Sequence, residues 1–195
     1  MISTDQIKEL RDKTGISVMQ CKKALEEAKG DMEKALILLR RKGAEIAAKK
    51  GDRTLGAGVI QSYVHGTGSV GALVELSSET DFVANNQEFR QLAYDIAMHI
   101  TASRPEYLKK EDITAETRQS AVEIFQKEIE GKPENIKEKI LEGKLNSYFG
   151  ERTLLDQPFI KNPDLTINQL IQNAVQKFGE KIEVTRFVRF ELQGK

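Results

Sequence analysis

The residues with the clearest chemical potential in this sequence form a glycine-rich segment, GTGSVG at residues 66–71. Its spacing matches the G-x-G-x-x-G pattern of a dinucleotide site. Such a site needs a helix directly after the glycines, because the N-terminal amides of that helix hold the pyrophosphate. Residues 70–76 (VGALVEL) instead have the pattern of a β-strand. We therefore interpret the segment as a hairpin turn that binds no nucleotide.

The histidines are the next candidates for acid–base or metal chemistry. Neither His65 nor His99 lies in a pattern that would make it a base beside a nucleophile. One cysteine and two histidines also fall short of a zinc ligand set. We expect no metal, no cofactor and no catalytic residue, so the chain is interpreted as a protein without enzyme activity. A small hydrolase or transferase that uses His65 or His99 is an alternative.

The single cysteine has two possible interpretations. Cys21 lies in an amphipathic helical pattern beside Lys22 and Lys23. Neighbouring ammonium groups can lower the pKa of a thiol and make it reactive. A half-buried structural thiol is the favoured interpretation, because nothing else in the sequence calls for thiol chemistry.

The segment ETDFVANN at residues 79–86 differs from these candidates because it joins a predicted strand to a predicted helix, where exposed loops often carry function. It places Phe82 and Val83 beside the carboxylate of Asp81. An aromatic anchor next to a charge is what a protein-binding hot spot requires. The other hypothesis is that Asp81 or Asn85 caps the helix, while Phe82 or Val83 folds back as a hydrophobic staple. The spacing alone favours this second hypothesis.

The elements that position this loop begin with three short helices in residues 1–43. Capping patterns and glycine stops divide that stretch into helix-length pieces. They are Ser3 with Gln6, Gly15, Ser17 with Gln20, Gly30 and Asp31. Residues 44–55 are charged and contain Gly51, which predicts a helical extension that gives way to a linker.

Residues 56–195 are predicted to form an α+β core domain. Apolar alternation over residues 59–65 and 70–76 predicts a β-hairpin, and an amphipathic helix over residues 89–100 covers one of its faces. Residues 182–192 alternate again, with Ile182, Val184, Val188, Phe190 and Leu192 on one face, and predict a third antiparallel strand. Residues 114–149 predict an antiparallel helical hairpin that projects from the body, and residues 167–178 a further helix.

The composition excludes several classes of protein. Thirty basic and thirty acidic residues give a net charge of zero, so we expect no sequence-specific nucleic-acid partner held by phosphate contacts. No apolar run approaches the ~20 residues that cross a bilayer, and the N-terminus lacks the apolar centre of a signal peptide. We therefore expect a cytoplasmic protein with no membrane contact.

One local basic excess stands out against this neutral background. It could contact RNA or an acidic partner, but long basic side chains on a solvated helix end explain it as well, and the second interpretation is favoured. Its members are Arg40, Arg41, Lys42, Lys49, Lys50 and Arg53.

Two long motifs resemble bacterial elongation factor Ts. They are TDFVANN at residues 80–86 and ELRDKTGISVMQCKKALEEAKGDMEKA at residues 9–35. The likeness continues through residues 131–171, which begin GKPENIKEKI, and through VTRFVRFEL at residues 184–192. The resemblance therefore covers essentially the whole chain.

The resemblance implies a guanine-nucleotide exchange factor whose partner is the GTPase domain of elongation factor Tu. Residues 1–43 would then be a domain like the ubiquitin-associated (UBA) domain that docks on this partner. Val18 and Met19, in the loop before the second helix, would be its apolar contacts, with Arg11 as a further candidate. A pure binding module, whose helices recognise ubiquitin-like folds or ribosomal partners, is the alternative.

The same resemblance implies that the loop at residues 80–83 is the wedge of the exchange factor. Phe82 and Asp81 would carry this role, supported by Thr80 and Val83. Phe82 would enter the partner near its bound magnesium ion and disturb the phosphate site, so that GDP leaves. Longer members of the family carry two copies of the hairpin core, whereas this sequence has one. It resembles the short class, so we expect a homodimer formed through the core domain.

Overall fold

The computed structural model describes residues 2–192, except for the side chain of Glu134. Helices and strands are combined in that range, so the predicted α+β class is confirmed. The helices are α1 (Thr4–Thr14), α2 (Val18–Glu27), α3 (Met32–Lys49), α4 (Asp81–Ala84), α5 (Gln87–Ser103), α6 (Ala115–Glu128), α7 (Glu134–Gly150) and α8 (Ile167–Phe178). The strands are β1 (Ala57–His65), β2 (Val70–Ser78), β3 (Pro158–Phe159), β4 (Asn162–Thr166) and β5 (Ile182–Glu191).

The first two helices begin and end close to their predicted caps. Ser3 and Gln6 form the complete capping box at the start of α1, and Gly15 ends that helix in the left-handed conformation. Ser17 caps α2, and Asp31 caps α3. Helix α2 ends at residue 27, so Gly30 lies beyond its end instead of closing it directly. The three helices share a small core of their own, built around Leu10, Leu25 and Leu39 among others.

Helix α3 continues through residue 43 and reaches Lys49. The helical extension predicted for residues 44–55 is therefore present up to that point. Ile46 and Ala47 pack against the core that lies under the sheet. Gly43 faces α8 so closely that a Cβ there would lie 3.2 Å from the side-chain oxygen of Gln176. The division at residue 43 stays a prediction, because the same helix serves both parts.

The three-stranded sheet has the order β1-β2-β5, and both pairings are antiparallel. The predicted third strand is thus confirmed, although it lies more than a hundred residues from the hairpin. Strand β5 does not pair evenly, because the register shifts between Glu75 and Leu76. Arg186 pairs with Glu75 and Val184 with Leu76, which leaves Thr185 as an extra residue.

This β-bulge reverses the alternation of β5. Ile182 and Val184 are buried, whereas Val188 and Phe190 are exposed on the other face of the sheet. The prediction that all the apolar residues of this strand share one face was therefore wrong. The reason is geometric, because one extra residue in a strand shifts every later side chain to the opposite face.

The core lies between the inner face of the sheet and helices α5 and α8. Strand β2 contributes Val74 and Leu76, and α5 contributes Phe89, whose ring meets Phe178 of α8 edge to face with centroids 6.1 Å apart. Helix α5 was predicted from the spacing of its apolar residues, and its cover of the hairpin is confirmed. The hairpin therefore gains the second layer that an isolated two-stranded ribbon lacks.

Helices α6 and α7 pack against each other through a smaller cluster. Val122 and Phe125 of α6 join Leu145 and Phe149 of α7. Ile136 of α7 is 40% exposed and lies outside this cluster.

The close approach of β1 to β2 makes Gly58 sensitive to substitution. A Cβ at Gly58 would lie 2.6 Å from the carbonyl oxygen of Leu76, a distance that requires the backbone to move. We expect Gly58→Ala to lower the free energy of unfolding by roughly 1–3 kcal/mol in urea denaturation. Gly143→Ala is the matched control, because nothing lies within 4 Å of that site in α7. It should be neutral or stabilising by about 0.5–1 kcal/mol, and equal effects at both sites would contradict the prediction.

Candidate functional site

The loop that follows β2 separates its two large apolar side chains. Thr80 is the residue before α4, and Asp81, Phe82 and Val83 lie within that one-turn helix. Val83 is 3% exposed and belongs to the main core, whereas Phe82 is 85% exposed. Asp81 is also exposed, next to Phe82. The loop thus anchors itself through one apolar residue and presents the other to solvent.

The structure shows which residue caps α5. Asn86 is the cap, because its side-chain oxygen accepts from the backbone N–H of Glu88 at 2.8 Å. Asn85 instead accepts from the guanidinium of Arg90 at 3.0 Å. The hypothesis that Asp81 or Asn85 caps this helix was therefore wrong. The prediction that one of these residues folds back onto the core is confirmed for Val83 and wrong for Phe82. Helix capping therefore does not explain the exposed position of Phe82.

The base of the loop is held by a carboxylate that the sequence did not indicate. Glu180 accepts two hydrogen bonds from Thr80, one from its backbone N–H at 3.0 Å and one from its hydroxyl at 2.6 Å. Ser78 adds a third contact, because its hydroxyl donates to the carbonyl of Thr80 at 3.1 Å. Local spacing could not reveal Glu180, since it lies 100 residues from Thr80 in the sequence.

Glu79, directly before Thr80, binds the residue that follows Glu180. Its carboxylate accepts from the backbone N–H of Lys181 and from the guanidinium of Arg53 at 2.9 Å. The backbone N–H of Lys181, followed by the Arg53 side chain, lowers the pKa of Glu79. This carboxylate is therefore ionised at neutral pH and stays available to hold both partners.

The N-terminal candidate residues form a second exposed surface. Val18 is 49% exposed and Met19 is 82% exposed, and Arg11 on α1 is exposed as well. The sequence placed Val18 and Met19 in a loop, but both lie in the first turn of α2, directly after the cap Ser17. The capping pattern marked that boundary correctly, and the two residues belong on its helical side.

Helix α8 connects the two surfaces. Near its C-terminal end, the side-chain amide of Gln176 donates to that of Gln20 in α2. One turn further on, Lys50 donates to the carbonyl of Gly179 at 2.6 Å, and Glu180 follows with its bonds to Thr80. The surface around Met19 and the loop around Phe82 are thus attached to neighbouring positions of one helix end.

The other chemical candidates serve the fold. Gly66 and Gly68 take positive φ angles in the turn between β1 and β2, which confirms the hairpin interpretation. His65 is exposed, and its Nδ1 lies 2.9 Å from the hydroxyl of Tyr63. Cys21 is fully buried, deeper than expected, and its thiol donates to the carbonyl of Ile16 at 3.5 Å. Burial raises the pKa of the Cys21 thiol, so the lowered value considered from the sequence was wrong.

His99 is a buried residue of the core. Its Nε2 lies 2.9 Å from the side-chain oxygen of Gln157, and its Nδ1 accepts from the backbone N–H of Ile160 at 3.4 Å. The ring also lies near the hydroxyl of Ser103. Solvent does not reach His99, so a substrate has no access to it.

The basic cluster divides among contacts within the chain. Arg40 donates to the carbonyl of Asp164 at 2.8 Å, and Lys50 and Arg53 make the contacts described above. Arg41 pairs with Glu45 at 3.6 Å. Four of the six basic side chains therefore make contacts within the chain.

Residues 2–192 contain neither a candidate metal cluster nor a candidate membrane-spanning helix. No group of three or more histidine, cysteine, aspartate or glutamate side chains is placed to hold a metal ion in this range. None of the helices described there has the length and apolar character needed to cross a membrane.

Phe82 and Met19 are the two most exposed large apolar side chains at these two candidate surfaces. Comparison with known proteins identifies the family. Residues 7–194 match the family model described as Elongation factor TS. The chain belongs to the elongation factor Ts family and is therefore a translation elongation factor of the nucleotide-exchange class.

Individual relatives cover almost the whole chain. Elongation factor Ts of Carboxydothermus hydrogenoformans is 51% identical over 98% of this chain and 89% of its own length. That of Thermodesulfovibrio yellowstonii is 52% identical over 98% and 96%, respectively. That of Moorella thermoacetica is 47% identical over 98% and 96%. The resemblance seen in the sequence motifs is thus confirmed.

The burial of His99 predicts a pH dependence of stability. Burial lowers the pKa of His99, against a smaller opposing effect of its bond to Gln157. A lowered folded-state pKa gives stability that is present above the ordinary value of about 6.5 and is lost as the pH falls. We expect the melting temperature to fall from pH 7.5 to 5.5, and to fall less in His99→Gln. His65→Gln is the control and should keep the wild-type slope, whereas an equal slope in His99→Gln would contradict the assignment.

Proposed function

We propose that this chain is the guanine-nucleotide exchange factor of elongation factor Tu, acting on the GDP-bound GTPase during translation elongation in the cytoplasm. The observation that carries the proposal is the exposure of Phe82 beside the burial of Val83. A large aromatic side chain on a firmly anchored turn is suited to enter a partner. Contact between the exposed ring and water is unfavourable, and this cost is removed when the ring is buried in the partner. Family membership supports the nature of the partner.

In the proposed mechanism, Phe82 acts as a wedge. The ring enters the GTPase domain near its bound Mg²⁺, with Asp81 beside it, and displaces the groups that hold the ion and the phosphates of GDP. Release then requires no covalent chemistry from this chain. GTP rebinds to the emptied site and expels the factor, since affinity for the nucleotide and for the factor are reciprocally coupled.

The free energy needed to accelerate GDP release is within the range that two docking surfaces can supply. Accelerating GDP release a thousandfold means lowering its barrier by about 4 kcal/mol. One buried aromatic anchor contributes roughly 2–4 kcal/mol, so Phe82 and a second docking surface together reach this scale. We assign the second surface to residues 1–43, acting as a UBA-like domain through Val18 and Met19, with Arg11 beside them.

We also assign helices α6 and α7 to the projecting hairpin of the core domain.

We also propose that two copies of the chain associate through the outer face of the sheet. Strands β1 and β2 and the part of β5 after the bulge at Thr185 place several apolar side chains on this face, which none of the described helices covers. They are Ile60, Val64, Leu73, Val188, Phe190 and Leu192. A second copy is the favoured occupant, because the chain has one hairpin core and a self-complementary apolar face suits a two-fold dimer. The ion pair between Arg186 and Glu75, at 2.6 Å, borders this face.

The exchange activity is tested with fluorescent GDP bound to elongation factor Tu and chased by unlabelled GDP. We expect the wild-type chain to accelerate release, and Phe82→Ala to slow the accelerated rate by about 30-fold or more. The free energy of unfolding of Phe82→Ala should change by no more than about 0.5 kcal/mol, because the side chain is exposed.

Phe89→Ala is the matched control, because the same change at a buried ring should lower the unfolding free energy by about 3–5 kcal/mol. No acceleration by the wild-type chain would contradict the function and leave a pure binding module. Parallel losses of stability and exchange in Phe82→Ala would contradict the role of the ring.

The dimer is tested by light scattering at micromolar concentration. We expect a mass of twice the 21.9 kDa chain for the wild type, and the mass of one chain for Val188→Asp, because an unpaired carboxylate is costly at an apolar interface. Val18→Asp is the control on the other surface and should leave the mass unchanged. A wild-type monomer with full exchange activity would contradict the dimer.

A further inference from the structure

The hydrogen bonding of Thr80 is unusual for a residue at the start of a helix. Threonine in this position ordinarily accepts a bond from a backbone N–H in the first turn of the helix. The Thr80 side chain makes no such cap to α4. Its hydroxyl instead donates to one oxygen of Glu180, while the other oxygen accepts from the backbone N–H of Thr80. The carboxylate therefore fixes both the main chain and the side chain of the residue two positions before Phe82.

The turn that carries Glu180 is itself fixed on several sides. Gly179 ends α8 in the left-handed conformation, and its carbonyl accepts from Lys50. Lys181 donates through its backbone to Glu79 and through its ammonium group to the carbonyl of Gly51 at 2.7 Å. Glu180 is thus held between two anchored residues at the point where α8 gives way to β5.

The far end of α4 is anchored separately. Val83 is buried in the core, and the guanidinium of Arg90 reaches the side chain of Asn85 at 3.0 Å. Phe82 therefore lies between two fixed points, and the fixed point on its N-terminal side consists of the Glu180 bonds and the Ser78 bond to the Thr80 carbonyl. Loss of the Glu180 bonds removes both bonds to the N–H and the hydroxyl of Thr80, while the Ser78 bond and the core contacts of Val83 remain.

We propose that Glu180 is a positioning residue for Phe82 and acts through Thr80, an inference that rests on the proposed exchange function. A loop that is ordered before binding loses less conformational entropy when it enters its partner. Glu180 therefore raises the exchange rate without contacting the partner. Its contribution disappears when Phe82 is absent, because there is then no wedge to position.

The chemistry of the two bonds separates this role from a charge effect. In Glu180→Gln, the amide oxygen can accept from the Thr80 N–H while the amide nitrogen donates to the Thr80 hydroxyl. Both bonds are retained and the charge is lost. In Glu180→Ala, both bonds and the charge are lost. Positioning therefore predicts near-normal exchange for Gln and slow exchange for Ala, whereas attraction of a cationic partner group predicts slow exchange for both.

The experiment measures GDP release from elongation factor Tu for the 195-residue chain and its variants, at stoichiometric amounts of factor so that slow rates stay measurable. We expect Glu180→Ala to slow the accelerated rate on the order of tenfold, and Glu180→Gln to remain within about twofold of the wild type. Added to Phe82→Ala, Glu180→Ala should slow release no further, since coupled residues are not additive. The melting temperature should fall by no more than about 2 °C.

Glu183→Ala is the matched control, because this carboxylate lies three residues further along, pairs with Lys181 at 3.5 Å and is 52% exposed. It should exchange at the wild-type rate. Wild-type exchange by Glu180→Ala, equal losses in the Ala and Gln variants, or additive slowing with Phe82→Ala would each overturn the positioning role. Failure of the wild-type chain to accelerate release would overturn the proposed function itself. This outcome is distinguishable from failure of the positioning role, because it is seen without any variant.

Discussion

The antiparallel pairing of β2 with β5 is the constraint on which the rest of the molecule depends. It joins Ser78 to Ile182 and so closes a very long loop of chain. Closing such a loop has an entropic cost that grows slowly with its length and is offset by the core that the closure completes. Helix α8 is brought onto the inner face by the same pairing, next to Phe89. The turn after α8 then lies beside Thr80, which gives the exposed loop its support.

The loop after β2 combines two requirements that usually conflict. A residue that enters a partner must be exposed, yet an exposed turn is ordinarily mobile and loses entropy on binding. Here Val83 supplies burial and Glu180 supplies directional bonds, while Phe82 contributes to neither. The side chain proposed to act on the GTPase therefore contributes little to the stability of the fold. Substitutions at Phe82 can change function with little effect on folding.

Much of this architecture could be predicted from local patterns. The caps at Ser3 and Asp31, the hairpin turn and the third strand all follow from residue types at short spacing. The bulge at Thr185 could not be predicted, because the alternation of apolar residues does not indicate where a paired strand contains one extra residue. Glu180 was missed because its partner is distant in sequence. The spacing of residues 79–86 favoured a helix cap, whereas tertiary packing selected Val83 for the core and left Phe82 outside.

The attachment of both exposed surfaces to one end of α8 has a mechanical consequence. Gln176 and Gly179 lie within a single helical turn, and they connect to Gln20 on one side and Lys50 on the other. The path between the two surfaces is short, and residues 51–53 support it, because Gly51 accepts from Lys181 and Arg53 donates to Glu79. In the exchange complex that we propose, a shift of α2 would therefore act on the base of the loop through the C-terminal end of α8.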